Sequence, residues 1–163
     1  MALNAYLTLK GQKQGDIQGG VTQKGREHSI LVHSFSQEIL KPFDPASGLP
    51  TGKRQHRPVH ILKEIDQSSP LLWTALVNNE NLITWQLKFW APATKNGLET
   101  QIYTITLMNA SIASIREYMP DNEDPAKAKL PLLQEVSFTY QKIEWVWTKG
   151  TITAEDDWES AAS

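Results

Sequence analysis

The residues best suited to chemistry are the histidines and the carboxylates, and their spacing decides what they can do. The four histidines fall into two pairs, His28 with His33 and His56 with His60. A spacing of four on a helix would aim two imidazoles at one metal ion. Here His56 lies in a proline-rich stretch and His60 in an alternating run. Residues four apart on an extended strand are roughly 13 Å from each other, too far for one ion whose bonds are about 2 Å long. Surface or hydrogen-bonded histidines are therefore expected, and no metal ligands. Carboxylates cluster at Glu64/Asp66, at Asp121/Glu123/Asp124 and at Asp156/Asp157. General acid–base work needs such groups in contrasting environments. The last two sets fall in segments that read as mobile loops, so they are expected to be solvated charge. No Gly-x-Ser-x-Gly elbow, Gly-x-Gly-x-x-Gly turn or phosphate loop is present. The expectation is a protein with no catalytic residue, cofactor site or metal site.

One basic spot remains, Thr51-Gly52-Lys53-Arg54-Gln55-His56-Arg57-Pro58. Nucleic-acid binding asks for a larger basic patch and usually stacking aromatics, and Phe43 is the only aromatic nearby. Contact with another protein subunit fits better than a passive solvated loop, since the planar arginine fork makes directed hydrogen bonds at interfaces. Lys53, Arg54, Gln55, His56 and Arg57 are accordingly the candidate inter-subunit or inter-ring contacts. The six tryptophans invite a carbohydrate-platform reading. Trp85, Trp145 and Trp147 keep phase with core residues, however, which favours core or interface; Trp90 falls out of phase with Phe89 and points to the other surface.

The elements that position these residues are mostly strands. Leu3, Ala5, Leu7 and Leu9 alternate with Asn4, Tyr6, Thr8 and Lys10, the period of a strand with one buried face. A polar, glycine-punctuated connection over 11–27 leads to a strand over 28–40, where Ile30-Leu31-Val32 suggests cover on both faces. Residues 41–58 hold four prolines, which a strand interior rarely tolerates; this is a long loop of the kind that is functional or disordered. A strand over 59–66 places Val59, Ile61 and Lys63 on one face. The one helix runs over about residues 69–79, with a hydroxyl of Ser68 or Ser69 as its cap and Pro70 in its first turn. Its apolar run suggests burial on more than one side.

The second half alternates from Ile83 to Phe89, turns at Asn96-Gly97, a strong hairpin signal, and returns from about Thr100. Ile112 and Ile115 lie on opposite faces of the strand from Ala110 to Tyr118, which implies a bend or bulge. Residues 119–131 carry three prolines and the acidic cluster, an exposed loop. The last strand changes phase between Tyr140 and Ile143, which a β-bulge near Gln141-Lys142 would explain. Beyond Gly150 the acidic tail, residues 151–163, is expected to fray.

These elements make one domain with seven or so strands, one short helix and no βαβ rhythm, hence a β-sandwich or barrel. The length of 163 residues, 40% hydrophobic and 21% charged, suits one soluble domain. A net charge of −2 argues for neither nucleic acid nor a membrane surface. Having no cysteine, the chain forms no disulfide, which fits a reducing compartment. The first ten residues lack the basic and apolar regions of a secretory signal, and no stretch reaches the roughly 18 apolar residues of a membrane helix.

Three segments together carry a resemblance. Met1-Ala2-Leu3-Asn4-Ala5-Tyr6-Leu7, the loop Thr51–Pro58, and Lys63-Glu64-Ile65-Asp66-Gln67-Ser68-Ser69-Pro70-Leu71-Leu72 are similar to the haemolysin-coregulated protein (Hcp) family of bacterial type VI secretion; so is Glu135–Ile143. The likeness spans about residues 1–150. It implies a β-barrel of two packed antiparallel sheets with one short flanking α-helix. It also implies a non-enzymatic tube subunit, forming homohexameric rings that stack and meeting the spike, sheath and effector proteins of the machine. Such a protein is cytoplasmic before firing and leaves without a cleaved signal peptide. No toxin domain is expected after the barrel. A phage-like tail-tube protein, or more remotely a carbohydrate-binding β-domain, would share parts of the pattern.

Overall fold

The computed structural model describes residues 3–92 and 97–159. The chain opens with β1 (Asn4–Gly11) and the short strands β2 (Gly15–Ile17), β3 (Ile30–Val32) and β4 (Ser34–Ser36). A small pair follows, β5 (Ile39–Leu40) and β6 (Gln55–His56), then β7 (Val59–Glu64) and the helix α1 (Ser69–Val77). The rest is strand: β8 (Leu82–Ala91), β9 (Thr100–Met108), β10 (Ser111–Tyr118), β11 (Leu133–Thr139), β12 (Lys142–Trp147) and β13 (Ile152–Asp157). The large sheet has the order β13-β12-β9-β8-β1-β2, with β3 also on β1; the small sheet is β10-β11-β7-β4. Every ladder is antiparallel. Among the described residues no helix is long and apolar enough to cross a membrane.

The two sheets are joined at corners by strands that leave one and enter the other, as in orthogonally packed sheets. One corner is His33, between β3 and β4, whose amide donates to the Leu62 carbonyl at 2.7 Å. A second is Asn109-Ala110, between β9 and β10, where Asn109 takes a φ of 50°. The third is Tyr140-Gln141, between β11 and β12. The last two lie side by side, the Asn109 side-chain amide donating to Gln141 Oε1 at 2.8 Å. The predicted all-β architecture with one flanking helix is thus present. The ladders do not close into one continuous ring among the described residues, so the expected barrel is here two separate antiparallel sheets joined at these corners.

These corners correct two readings of the sequence. The phase change near Gln141-Lys142 is a change of sheet, so both apolar sets face the same core without a bulge. The strand expected over 28–40 is broken at His33 into β3 and β4, and Leu31 is exposed rather than covered on both faces. The irregularity expected between Ile112 and Ile115 is a register shift between Ile112 and Ser114. The β8–β9 hairpin forms, with Ala91 opposite Thr100 and Gly97 at φ 67°, while Asn96 lies outside the described residues.

Between the sheets, Leu7, Leu9, Leu87, Ile105 and Ile143 meet Val59, Ile61, Val136 and Phe138. Each such side chain contributes roughly 1.5–3 kcal/mol by leaving water. Trp85 meets Phe138 edge to face across the core, ring centroids 5.5 Å apart. Leu3, predicted on this face, is exposed.

The helix is attached along one broad side, by buried Ser69, Leu72 and Ala75 and by half-buried Leu71 and Leu76, which pack against the core; its other side, with Trp73 and Val77, is exposed, so burial does not extend around it as expected. Neither serine caps it through its hydroxyl. The Ser68 hydroxyl donates to Asp66, and Ser69 Oγ accepts from the Asp66 amide at 3.0 Å. Both serve a network built on Lys63, whose Nζ lies 2.8 Å from the Glu64 carbonyl, 3.0 Å from Asp66 Oδ1, 3.1 Å from Ser69 Oγ and 3.1 Å from Gln134 Oε1. Gln134 donates onward to Glu117 at 3.0 Å, which also accepts from Trp73 Nε1. One ammonium therefore ties β7, the start of α1, β11 and β10 together.

Candidate assembly surfaces

The stretch 41–54 is a projecting arm rather than an irregular loop. β5 and β6 pair at its root, with Ile39 opposite His56 and Leu40 opposite Gln55. Further out, Phe43 bridges to Pro50, and the Thr51 amide donates to the Pro42 carbonyl at 2.9 Å. Asp44 organises the tip. Its carboxylate accepts from the Ala46 amide at 3.0 Å and the Ser47 hydroxyl at 2.8 Å, which favours its charged form and holds its pKa below the ordinary value. Gly48 closes the turn at φ 73°, where a side chain would be strained. The proline-rich sequence thus builds a self-supported hairpin that leaves Phe43 and Leu49 exposed.

A buried polar cluster fastens the arm to the opposite terminus. His56 is fully enclosed; its Nδ1 lies 2.7 Å from the Tyr140 hydroxyl and its Nε2 2.6 Å from Asp156 Oδ2. A neutral imidazole satisfies both contacts when Nε2–H donates to the carboxylate and Nδ1 accepts from the tyrosine. Arg54 Nε donates to the same Asp156 oxygen and its terminal nitrogen to the Asp157 carbonyl at 2.8 Å. Trp158 covers the cluster, stacked on His56 with ring centroids 5.2 Å apart. Hydrogen bonding to Arg54 first, and then to His56, holds the Asp156 carboxyl below the usual carboxylate range. Burial pushes the Tyr140 phenol up to about 12.

That shift has a pH consequence. A phenol whose pKa is raised on folding adds stability below its unfolded value near 10, and the contribution is lost as pH rises through about 12. Chemical denaturation is therefore expected to show stability falling from pH 10 to 12, with a shallower fall in Tyr140→Phe. Identical slopes for the two proteins would refute the assignment.

The five predicted contact residues separate into two groups. Lys53, Gln55 and Arg57 are exposed, whereas His56 points inward and Arg54 is half-buried against the C-terminal strand. Sequence reasoning missed Tyr140, Asp156 and Trp158 as their partners. Asp156 was expected to be solvated and the tail to fray; instead Ile152–Asp157 forms β13, paired along its length with β12. The signal was a lone tryptophan in an acidic tail. Of the other histidines, His60 contacts Ser137 Oγ at 2.6 Å and His33 pairs with Glu64 at 3.2 Å.

The tryptophans form no continuous platform. Trp85 is in the core, Trp145 is half-buried and donates to Gln37 at 3.1 Å, and Trp90 packs beneath the Arg26 guanidinium at 4.3 Å. Trp147 is more exposed than its phase predicted and stands opposite Ile152 at the rim of the large sheet. β13 ends the large sheet with no further strand beside it among the described residues, and such an edge invites pairing with another chain, whereas β10, at the end of the small sheet, has α1 packed against it.

At the end of the small sheet away from the arm lies the loop 119–132. Leu133 pairs with Glu64, and the Ile65 amide donates to the Leu132 carbonyl at 3.1 Å. Asp121 and Asp124 organise this loop by accepting from the amides of Glu123 and Ala126, both at 3.0 Å. Met119, Leu130 and Leu132 remain exposed.

Residues 6–147 match the family described as type VI secretion system effector, Hcp. The major exported protein of Pseudomonas aeruginosa is 38% identical over 169 residues, covering 98% of each chain. Among solved structures, an Hcp protein superposes with a TM-score of 0.89 at 29% identity, over 98% of this chain and 100% of that one. A variant of Hcp1 from the E. coli EAEC 042 pathovar gives 0.85 at 31% identity, over 96% and 99%. The secreted protein Hcp3 of P. aeruginosa gives 0.78 at 30%, over 98% and 100%.

Proposed function

The chain belongs to the Hcp family of the type VI secretion system, and from that premise we propose that its copies close into hexameric rings that stack into the inner tube. The family is structural rather than enzymatic. The observation that carries the finer reading is the rigid arm. A hairpin bearing exposed Phe43 and Leu49 is locked to the fold through a buried histidine. A passive loop has no need of such an anchor. A pre-ordered element loses less entropy on docking than a flexible one. Lys53, Gln55 and Arg57 flank it as exposed contacts, while Arg54 and His56 hold it in place from within.

Ring closure needs two different surfaces of one chain to meet. The edge of β13 and the exposed Trp147/Ile152 pair supply candidates. In this reading the protein is cytoplasmic before firing and is then exported, as the name of its P. aeruginosa relative suggests for that protein. Spike, sheath and effector proteins are its further partners.

Light scattering after size exclusion is expected to give a mass near six times 18.4 kDa. A monomer at tens of micromolar, roughly the range where modest protein interfaces are occupied, would count against the ring.

A further inference from the structure

Beside the corner at His33, a cavity of about 390 Å³ opens between the loop joining β2 to β3 and the end of β7. That is within the size range of small-molecule pockets. Its loop wall is held in place from within the chain. Arg26 sits between the rings of Tyr6 and Trp90, 4.9 Å and 4.3 Å from their centroids, and pairs with Glu99. Tyr6 donates to Gln23 Oε1 at 2.5 Å, and the His28 amide donates to the Val21 carbonyl at 2.8 Å. The chemistry of the cavity is one-sided. No lysine or arginine lines it, whereas Glu64 and Asp66 both do. His33 Nε2 lies 3.2 Å from Glu64. Asp66 Oδ1 serves Lys63 and both the amide and the hydroxyl of Ser68, while Oδ2 has no donor among the described residues. Lys63, enclosed behind Asp66, offsets one of the two negative charges. With His33 neutral, the charge of one carboxylate is left uncompensated. Val21 and Leu31 add an apolar side to the same cavity.

We propose that this cavity binds a singly charged organic cation on a short apolar stem, the guanidinium or ammonium end of an arginine-like or lysine-like group. The stem lies along Val21 and Leu31 and leaves water there. The cation lies between Glu64 and Asp66 Oδ2, where hydrogen bonds to charged acceptors are strongest. A bare metal ion suits the site less well, because no three ligating side chains come together among the described residues. A pinned wall loses little entropy when the ligand enters. The site is complete within one chain, so it stands whether or not rings form. A free amine and a side chain of a partner protein share this chemistry.

The test titrates butylguanidinium into the whole protein, labelled at its valine and leucine methyl groups for nuclear magnetic resonance. Saturable shifts at Val21 and Leu31 are expected, with a Kd of about 1 mM. Butanol, which has the stem without the charge, is expected to give no saturable shift. Glu64→Gln is expected to weaken binding about fivefold. The Glu64 side chain is half exposed and pairs only with His33 among the described residues, so the variant keeps its fold; thermal unfolding checks this. Leu31→Ser, which removes the apolar side, is expected to weaken binding by a similar factor. A blocked Gly-Arg-Gly peptide separates the two sources. Binding as tight as butylguanidinium or tighter assigns the group to a protein side chain, and weaker binding assigns it to a free small molecule. No saturable shift with either probe, an equal response to butanol, or undiminished binding by folded Glu64→Gln overturns the site.

Discussion

Lys63→Ala is expected to lower the melting temperature by on the order of 10 °C. The ammonium is fully enclosed, with four oxygen acceptors between 2.8 and 3.1 Å. Burial lowers its pKa and the hydrogen bond to Asp66 works against that shift. Taking a charge out of water is unfavourable in itself, but removing one partner from a buried pair is worse, about 3–5 kcal/mol, because the other is left uncompensated. In the alanine variant Gln134 and Asp66 lose their shared donor, and a cavity opens beneath the start of α1. Lys63→Met fills most of the volume and loses only the hydrogen bonds, so its cost is about 1–3 kcal/mol. Thermal unfolding followed by circular dichroism separates the two. Equal melting temperatures for the alanine variant and the parent protein would show that the network adds no stability.

The second large effect is expected at Asp156. Asp156→Ala takes the acceptor from both Arg54 and the enclosed His56. An unpaired buried donor costs about 1–3 kcal/mol. β13 feels this most, because it is an edge strand held by β12 on one side only. Amide exchange over residues 152–157 is expected to accelerate by about tenfold to a hundredfold, at about 1.4 kcal/mol per factor of ten. The arm should loosen with it, since Asp156 is what Arg54 and His56 grip. His56→Phe keeps a ring stacked on Trp158 and edge to face with Tyr140 and leaves the Arg54–Asp156 pair intact, so its effect on β13 should be smaller. If exchange in β13 is unchanged in Asp156→Ala, the cluster is not a fastening. The acid dependence has a definite sign. A carboxyl whose pKa is lowered on folding contributes above its unfolded value and loses that contribution as pH falls through its folded one. β13 should accordingly stay docked at neutral pH and loosen only below the ordinary carboxylate range.

Much of the fold was legible because strand faces are written locally. Alternation in β1 and β8 put Ala5, Leu7, Leu9, Trp85 and Leu87 in the core, and Pro70 marked the start of α1 within one residue. The helix stops at Val77 because Asn79 takes a positive φ, which the apolar run before it did not announce. The arm showed itself only as an abundance of proline. Its pairing of Ile39 with His56 and of Phe43 with Pro50 joins residues too far apart in sequence for a short window to detect.

The sequence by itself determined the class of fold, the family and the broad absence of catalytic motifs, since each rests on periodicity or on short segments in a fixed order. Only the tertiary structure decided how Tyr140-Gln141 turns, because a bulge and a change of sheet shift the apolar phase equally. Alternation put Lys63 on one face with Val59 and Ile61, but only the tertiary structure brought Asp66, Ser69 and Gln134 around its ammonium. It also brought Asp156 to His56, residues a hundred positions apart. A carboxylate's role depends on what surrounds it once burial has removed water, and an acidic tail read alone contains only water as its neighbour.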